Sequence, residues 1–169
     1  MNLRAIRSLY PGVHTPRTTY FRVVSESFAS TIEDIWPSYD RGWRYNPKKE
    51  FGVLYLSISE RCCGLERSRQ SKASEGYFQP LVIGEFKVSI NKCLDLTSSD
   101  VLKTISVEKG ELLTEDLTLP QSIAREARSS GFEALIVPSA ASEECQNLVV
   151  FRDKLLPPSF CLLVKTQKL

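Results

Sequence analysis

Histidine and methionine are nearly missing from this 169-residue chain, with one of each, and tryptophan occurs twice. His14 stands in a Pro- and Thr-rich leader expected to be mobile, so any Cys/His or Ser/His nucleophile pair depends on that one residue. The G-x-G-x-x-G fingerprint, the P-loop and the G-x-S-x-G elbow are missing too, so nucleotide chemistry here needs another scaffold. No C-x-x-C spacing occurs among Cys62, Cys63, Cys93, Cys145 and Cys161, which removes the common zinc and redox motifs. Five unpaired cysteines read as free thiols in a reducing cytoplasm. Adjacent Cys62 and Cys63 fit small apolar core positions better than a cysteine hydrolase, which ranks last among the readings.

Long apolar runs are also lacking. Residues 51–56 and 160–164 fall far short of the roughly 18 residues that suggest a membrane span. Tyr10-Pro11-Gly12 arrives before any run long enough for a signal-peptide core, so the protein is expected to stay in the cytoplasm. Charge of one sign is not in excess either: 22 basic against 20 acidic residues leave a net charge of +2. That gives no strong field for a nucleic-acid backbone or an anionic membrane.

What remains is an ordinary globular composition, 42% hydrophobic and 25% charged, at the size of one domain. A chain this long buries roughly two-thirds of its unfolded surface and needs no staple. No repeat and no linker composition divides it.

The order of local patterns predicts a mixed α and β domain. Residues 19–24, TYFRVV, are β-branched and aromatic and read as a strand. Phe28, Ile32 and Ile35 recur at helical intervals over residues 26–35, ahead of Pro37. Residues 37–49, PSYDRGWRYNPKK, combine two prolines, a glycine and several basic residues and read as an irregular loop, a candidate site. A buried strand is predicted over 51–57 and a helix from about 60 to 69 capped by Ser59, followed by a polar loop over 68–76. A strand over 81–90 follows, extended by Leu94 and Leu96. Thr97 or Ser98 then caps a short helix through Lys103. Residues 106–118 lack periodicity and read as a surface excursion. Pro120, the apolar Ile123, Ala124 and Ala127, and the terminator Gly131 define a helix over 120–130. Strands over 132–138, 148–152 and 160–165 complete the set, the first two flanking a polar turn at 139–147.

Four residues on these elements share a chemistry. Arg22 and Arg44 offer planar forks for phosphate oxygens, Tyr55 a face for a heteroaromatic ring, and Glu66 a carboxylate for a developing oxocarbenium ion. Each alone has a plainer reading, since an arginine is usually a solvated charge and a tyrosine in an apolar strand is usually core. Their order and surroundings carry more: YFRV at 20–23, GWRYNP at 42–47, VLYLS at 53–57, GLE at 64–66, LDLTS at 94–98, GFEALIVPSA at 131–140 and NLVVF at 147–151.

This ordered set resembles the RES-domain family, named for a recurring arginine, glutamate and serine. Two positions depart from its pattern: Trp43 stands for the usual second glycine of the GGRWNP loop, and Tyr45 for its tryptophan. The resemblance implies an α+β domain with a β-sheet core similar to ADP-ribosylating toxins, over residues 19–169 after a leader of 1–18. It implies a bacterial toxin that cleaves the nicotinamide–ribose bond of NAD+ by hydrolysis or phosphorolysis. NAD+ is its substrate, and neither a cofactor nor a metal is expected. By resemblance, Arg22 and Arg44 grip the pyrophosphate or ribose, Tyr55 stacks on nicotinamide, and Glu66 acts at the ribose. Ser139 completes the pocket, and Asn147 joins it from a strand entrance, where asparagine more often serves a turn. The implied partner is an Xre-type helix-turn-helix antitoxin that blocks the pocket and supplies the DNA binding; self-association is also considered. Competing readings are a protein ADP-ribosyltransferase and an inactive module that binds NAD+ or the antitoxin, with Trp43 and Tyr45 as the support for inactivity.

Overall fold

The computed structural model of the chain describes residues 1–71 and 80–169, with residues 70 and 71 described by backbone alone. Seven strands form one mixed sheet: β1 (Thr19–Ser25), β2 (Leu54–Ser57), β3 (Leu81–Ser89), β4 (Cys93–Asp95), β5 (Ala134–Pro138), β6 (Gln146–Val150) and β7 (Phe160–Lys168). Their spatial order is β4-β5-β6-β2-β1-β3-β7, antiparallel except for the β4–β5 pair. The helices are α1 (Trp36–Arg41), α2 (Glu60–Ser71), α3 (Ser99–Ile105) and α4 (Thr118–Ser129). The expected α+β class is the one observed.

Alternation along the central strands makes two cores. Leu54, Leu56, Ile136, Leu148 and Val150 pack with Phe86, Val88 and Ile90 on one face. Val53, Leu135, Val137 and Val149 turn to the other face, where Leu102, Ile123, Ala124 and Ala127 of α3 and α4 cover them. Only residues 90–92 lie between β3 and β4, although five strand positions separate them in the sheet. A flat sheet would set them about 24 Å apart, whereas that link reaches about 14 Å, so the sheet curls until the two ends approach.

The structure corrects several local expectations. Residues 26–35 are not an α-helix: a 3-10 helix covers Glu26–Thr31 and buries none of its residues, so no apolar face stabilises a longer one. The basic segment at 37–49 is not wholly irregular, because Pro37 enters the first turn of α1, where its missing N–H is no loss. Gly42 ends that helix at φ +70°, and a Cβ there would come within 2.7 Å of the Lys48 amide nitrogen, so glycine is required. Residues 106–118 are not a free excursion: Val107 and Leu112 are buried, and a 3-10 helix at Lys109–Leu113 carries the latter inward. Leu94 does not extend β3 but belongs to β4 at the far edge.

Other expectations hold in place. Ser59 caps α2 by accepting from the Cys62 amide at 3.1 Å, and Ser98 caps α3 through Val101. Ser68 and Arg69, where the expected helix and loop overlap, belong to α2, which runs on to Ser71; residues 72–76 of the expected loop lie outside the described residues. Residues 1–18 pack on the domain. Ile6 is fully buried, and Val13 and Thr15 bond to Cys93 and Ile90, so His14 lies in a tethered segment rather than the mobile one expected. Among the described residues, no helix is long and apolar enough to cross a membrane.

Candidate active site

Strand alternation and one cross-strand register assemble the centre of the site. Ser57 and Asn147 are directly paired on β2 and β6, so their side chains emerge on one face beside Tyr55. The β2 strand ends there and α2 begins, and its second turn brings Glu66 over the β6 entrance. Glu66 Oε1 accepts from Ser139 Oγ at 2.5 Å and from Asn147 Nδ2 at 2.9 Å. Both donors take the same oxygen, which leaves Oε2 for a ligand among the described residues. Ser139 Oγ also accepts from the Ala141 amide at 3.0 Å, which fixes the hydroxyl proton toward Glu66.

Glu66 and Asn147 border a cavity of about 570 Å³. Arg22, Arg44, Tyr55 and Trp43 line the same space, and Ser139 stands behind it between the lining residues Pro138 and Ala140. All six residues expected from the sequence therefore gather at one cavity. Asn147, a candidate whose plainer alternative was a turn residue, lies within β6 with its amide on the carboxylate.

The two arginines are anchored through the backbone. Arg44 Nη1 donates to the carbonyls of Leu112 and Thr114 at 3.0 and 2.6 Å, and Arg22 Nη1 donates to those of Ile32 and Asp34 at 3.1 and 3.4 Å. Each guanidinium is thus oriented before any ligand arrives. Burial pushes the Arg22 guanidinium down to about 10, opposed by the nearby Asp34 carboxylate. It remains a cation at neutral pH, poorly hydrated and suited to an anionic ligand.

Tyr55 is held through its hydroxyl, which accepts from the Tyr45 amide at 2.9 Å and donates to Asn46 Oδ1 at 3.0 Å. Burial raises the phenol well above its ordinary value, so it stays neutral, and its ring is the part offered to the cavity. Asn46 is fully buried and donates to the carbonyls of Ser38 and Phe51. It is the knot of the GWRYNP loop, and its place before Pro47 was the available signal. Tyr45 is buried in the core, whereas Trp43 lies 41% exposed on the cavity wall. The two departures from the family pattern therefore have different consequences: Tyr45 packs, and Trp43 shapes the opening.

The cysteine expectation needs correction. Cys62 and Cys145 form a disulfide with Cα atoms 5.7 Å apart, because the first turn of α2 lies against the 139–147 turn. A separation of 83 residues carries no spacing signal. Cys63, Cys93 and Cys161 are free and buried. Burial pushes the Cys63 thiol up to about 11, so neither member of the adjacent pair serves as a nucleophile.

The RES domain matches residues 19–158 of this chain. A match over that length makes the chain a member of the RES-domain family. Over 110 residues, 64% of the chain, it is 33% identical to a protein of Mycobacterium tuberculosis (strain ATCC 25618 / H37Rv) named a probable NAD(+) phosphorylase. The match spans 52% of that protein, about half its length. A chain in the crystal structure of the M. tuberculosis MbcT–MbcA toxin–antitoxin complex superposes with a TM-score of 0.78 over 99% of this chain and 91% of that one. At 19% identity, that likeness is one of fold.

Proposed function

We propose that this protein degrades NAD+ by breaking its nicotinamide–ribose bond, with water or inorganic phosphate as the acceptor. The observation that carries the reading is the Glu66 carboxylate, held on one oxygen by Ser139 and Asn147 at a cavity lined by two anchored arginines and a tyrosine ring. The relative named a probable NAD(+) phosphorylase supports it.

Nicotinamide is a cationic leaving group and departs with the bonding electron pair as a neutral molecule, so no general acid is needed. Positive charge then builds on the ribose ring. A fixed carboxylate at the anomeric carbon stabilises it by on the order of 2–4 kcal/mol. The acceptor oxygen closes the new C–O bond: water yields ADP-ribose and releases a proton, and phosphate yields the ADP-ribose phosphate ester. Arg22 and Arg44 hold the pyrophosphate or ribose, Tyr55 stacks on nicotinamide, and Ser139 and Asn147 fix Glu66. NAD+ is the substrate, and no cofactor or metal takes part.

The protein acts in the cytoplasm as a growth-inhibiting toxin, and a helix-turn-helix antitoxin of the Xre type neutralises it by covering the cavity. The fold relative's occurrence in a toxin–antitoxin complex supports an antitoxin partner. The test is nicotinamide release from NAD+ by the purified protein, with and without phosphate. Release that Glu66→Gln abolishes while folding stays native is expected, and phosphate dependence separates the two acceptors. Equal release by Glu66→Gln overturns the reading. Transfer of ADP-ribose to a protein instead would move the enzyme to the transferase class.

A further inference from the structure

The Glu66 carboxylate can only accept hydrogen bonds, so Asn147 must present its NH2 group to it. An asparagine side chain is nearly symmetric in shape, and nothing in its packing alone forbids the flipped amide, which would set Oδ1 against Oε1. The deciding group is the partner of the amide's other end. Ser57 Oγ lies 2.8 Å from Asn147 Oδ1 and, as the donor, requires an oxygen there.

Ser57 itself is well placed to keep that proton in position. It is the direct cross-strand partner of Asn147, so the two side chains stand side by side on a rigid ladder. It is largely buried at the cavity wall, which limits its freedom to turn. The bonds run in one direction: hydroxyl to amide oxygen, amide nitrogen to carboxylate.

We propose that Ser57 is a positioning residue for the reaction: by donating to Asn147 Oδ1 it locks the amide with Nδ2 on Glu66 Oε1, and so fixes which carboxylate oxygen faces the ribose. This rests on the NAD+-cleaving reading of the same site. Ser57 borders the same cavity, but its proton is committed to Asn147, so its loss is expected to act on turnover rather than on NAD+ binding.

The test compares Ser57→Thr with Ser57→Val, which differ by a hydroxyl against a methyl at nearly equal volume on a strand that tolerates both. Ser57→Thr is expected to keep wild-type kcat. Ser57→Val should lose roughly five- to tenfold, the rate equivalent of one hydrogen bond, with KM for NAD+ unchanged. In an Asn147→Ala background the Thr and Val variants should turn over equally, because the amide through which Ser57 acts is gone. Equal kcat for the two variants with Asn147 present, or an undiminished difference without it, overturns the assignment while the NAD+ reading stands. A wild-type protein that releases no nicotinamide overturns the NAD+ reading, and the assignment falls with it.

Discussion

Ser139 Oγ and Glu66 Oε1, 73 residues apart in sequence, meet at 2.5 Å, and the Ala141 amide donates to the serine oxygen from its other side, which turns the serine proton toward the carboxylate. The serine therefore acts as a fixed donor and not as a nucleophile. Ser139→Ala removes a hydrogen bond to a charged group, an interaction worth about 1.5–3 kcal/mol, and turnover is expected to fall roughly ten- to a hundredfold. Steady-state nicotinamide release measures this. Because the methyl group fits the space of the hydroxymethyl, a melting temperature near that of the wild type should accompany the loss. Wild-type turnover by Ser139→Ala would remove the serine from the site.

Arg44 holds two carbonyls of the 3-10 segment at Lys109–Leu113 and its exit, so it links the basic loop to the far wall of the cavity. Arg44→Ala is expected to weaken NAD+ binding about tenfold, the equivalent of about 1.4 kcal/mol, since the contact exists before and during bond cleavage. Lysine should not rescue it. A single ammonium lacks the planar fork that can bridge backbone carbonyls and still present nitrogens to a phosphate. Calorimetric titration of NAD+ into the two variants checks both statements, and unchanged affinity in Arg44→Ala excludes the residue from binding.

The Cys62–Cys145 disulfide ties the start of the helix that carries Glu66 to the turn that follows Ser139. Cross-linking across 83 residues restrains the unfolded chain, and its removal is expected to cost about 2–5 kcal/mol. Melting temperatures of Cys62→Ser and Cys145→Ser should fall together, and a reductant should lower the wild type to the same level while leaving the variants unmoved. Turnover of the reduced and oxidised forms, measured side by side, shows whether the cross-link also positions Glu66.

Local signals were legible where a residue acts on its neighbours. The Ser59 cap, the apolar face of α4 and the alternation of β3 needed only short-range chemistry, and each stands near its expected place. The site residues were legible because seven ordered motifs carried them. Pairings between distant segments were not. Leu94 follows β3 closely in sequence yet joins a strand at the other edge of the sheet, and Cys62 finds Cys145 only because two elements happen to meet. Ser57 shows the same limit at the site. Its alternation placed it on the face of Tyr55, but its role appears only once β6 lies beside β2 in one register.

Arg128 and Asp153 give a prediction on stability and pH. The guanidinium donates to both carboxylate oxygens at 2.7 and 2.5 Å while lying over Phe51 and Phe151, so the pair clamps α4 to the chain after β6. The hydrogen bonds from Arg128 hold the Asp153 carboxyl below its ordinary value of 3.8. A carboxyl lowered in the folded state contributes stability above its unfolded value, and that contribution is lost as pH falls through the folded one. Asp153 is 48% exposed, so solvent screening reduces the pair to about 0.2–1 kcal/mol at neutral pH. Asp153→Asn should therefore unfold at lower denaturant concentration than the wild type at pH 7. The gap should narrow once the pH drops below 3.8 and close when the wild-type carboxyl is itself protonated. Urea titrations of both proteins at neutral and acidic pH check this, and a gap that persists unchanged at the acidic end would show that the asparagine disturbs packing instead of charge.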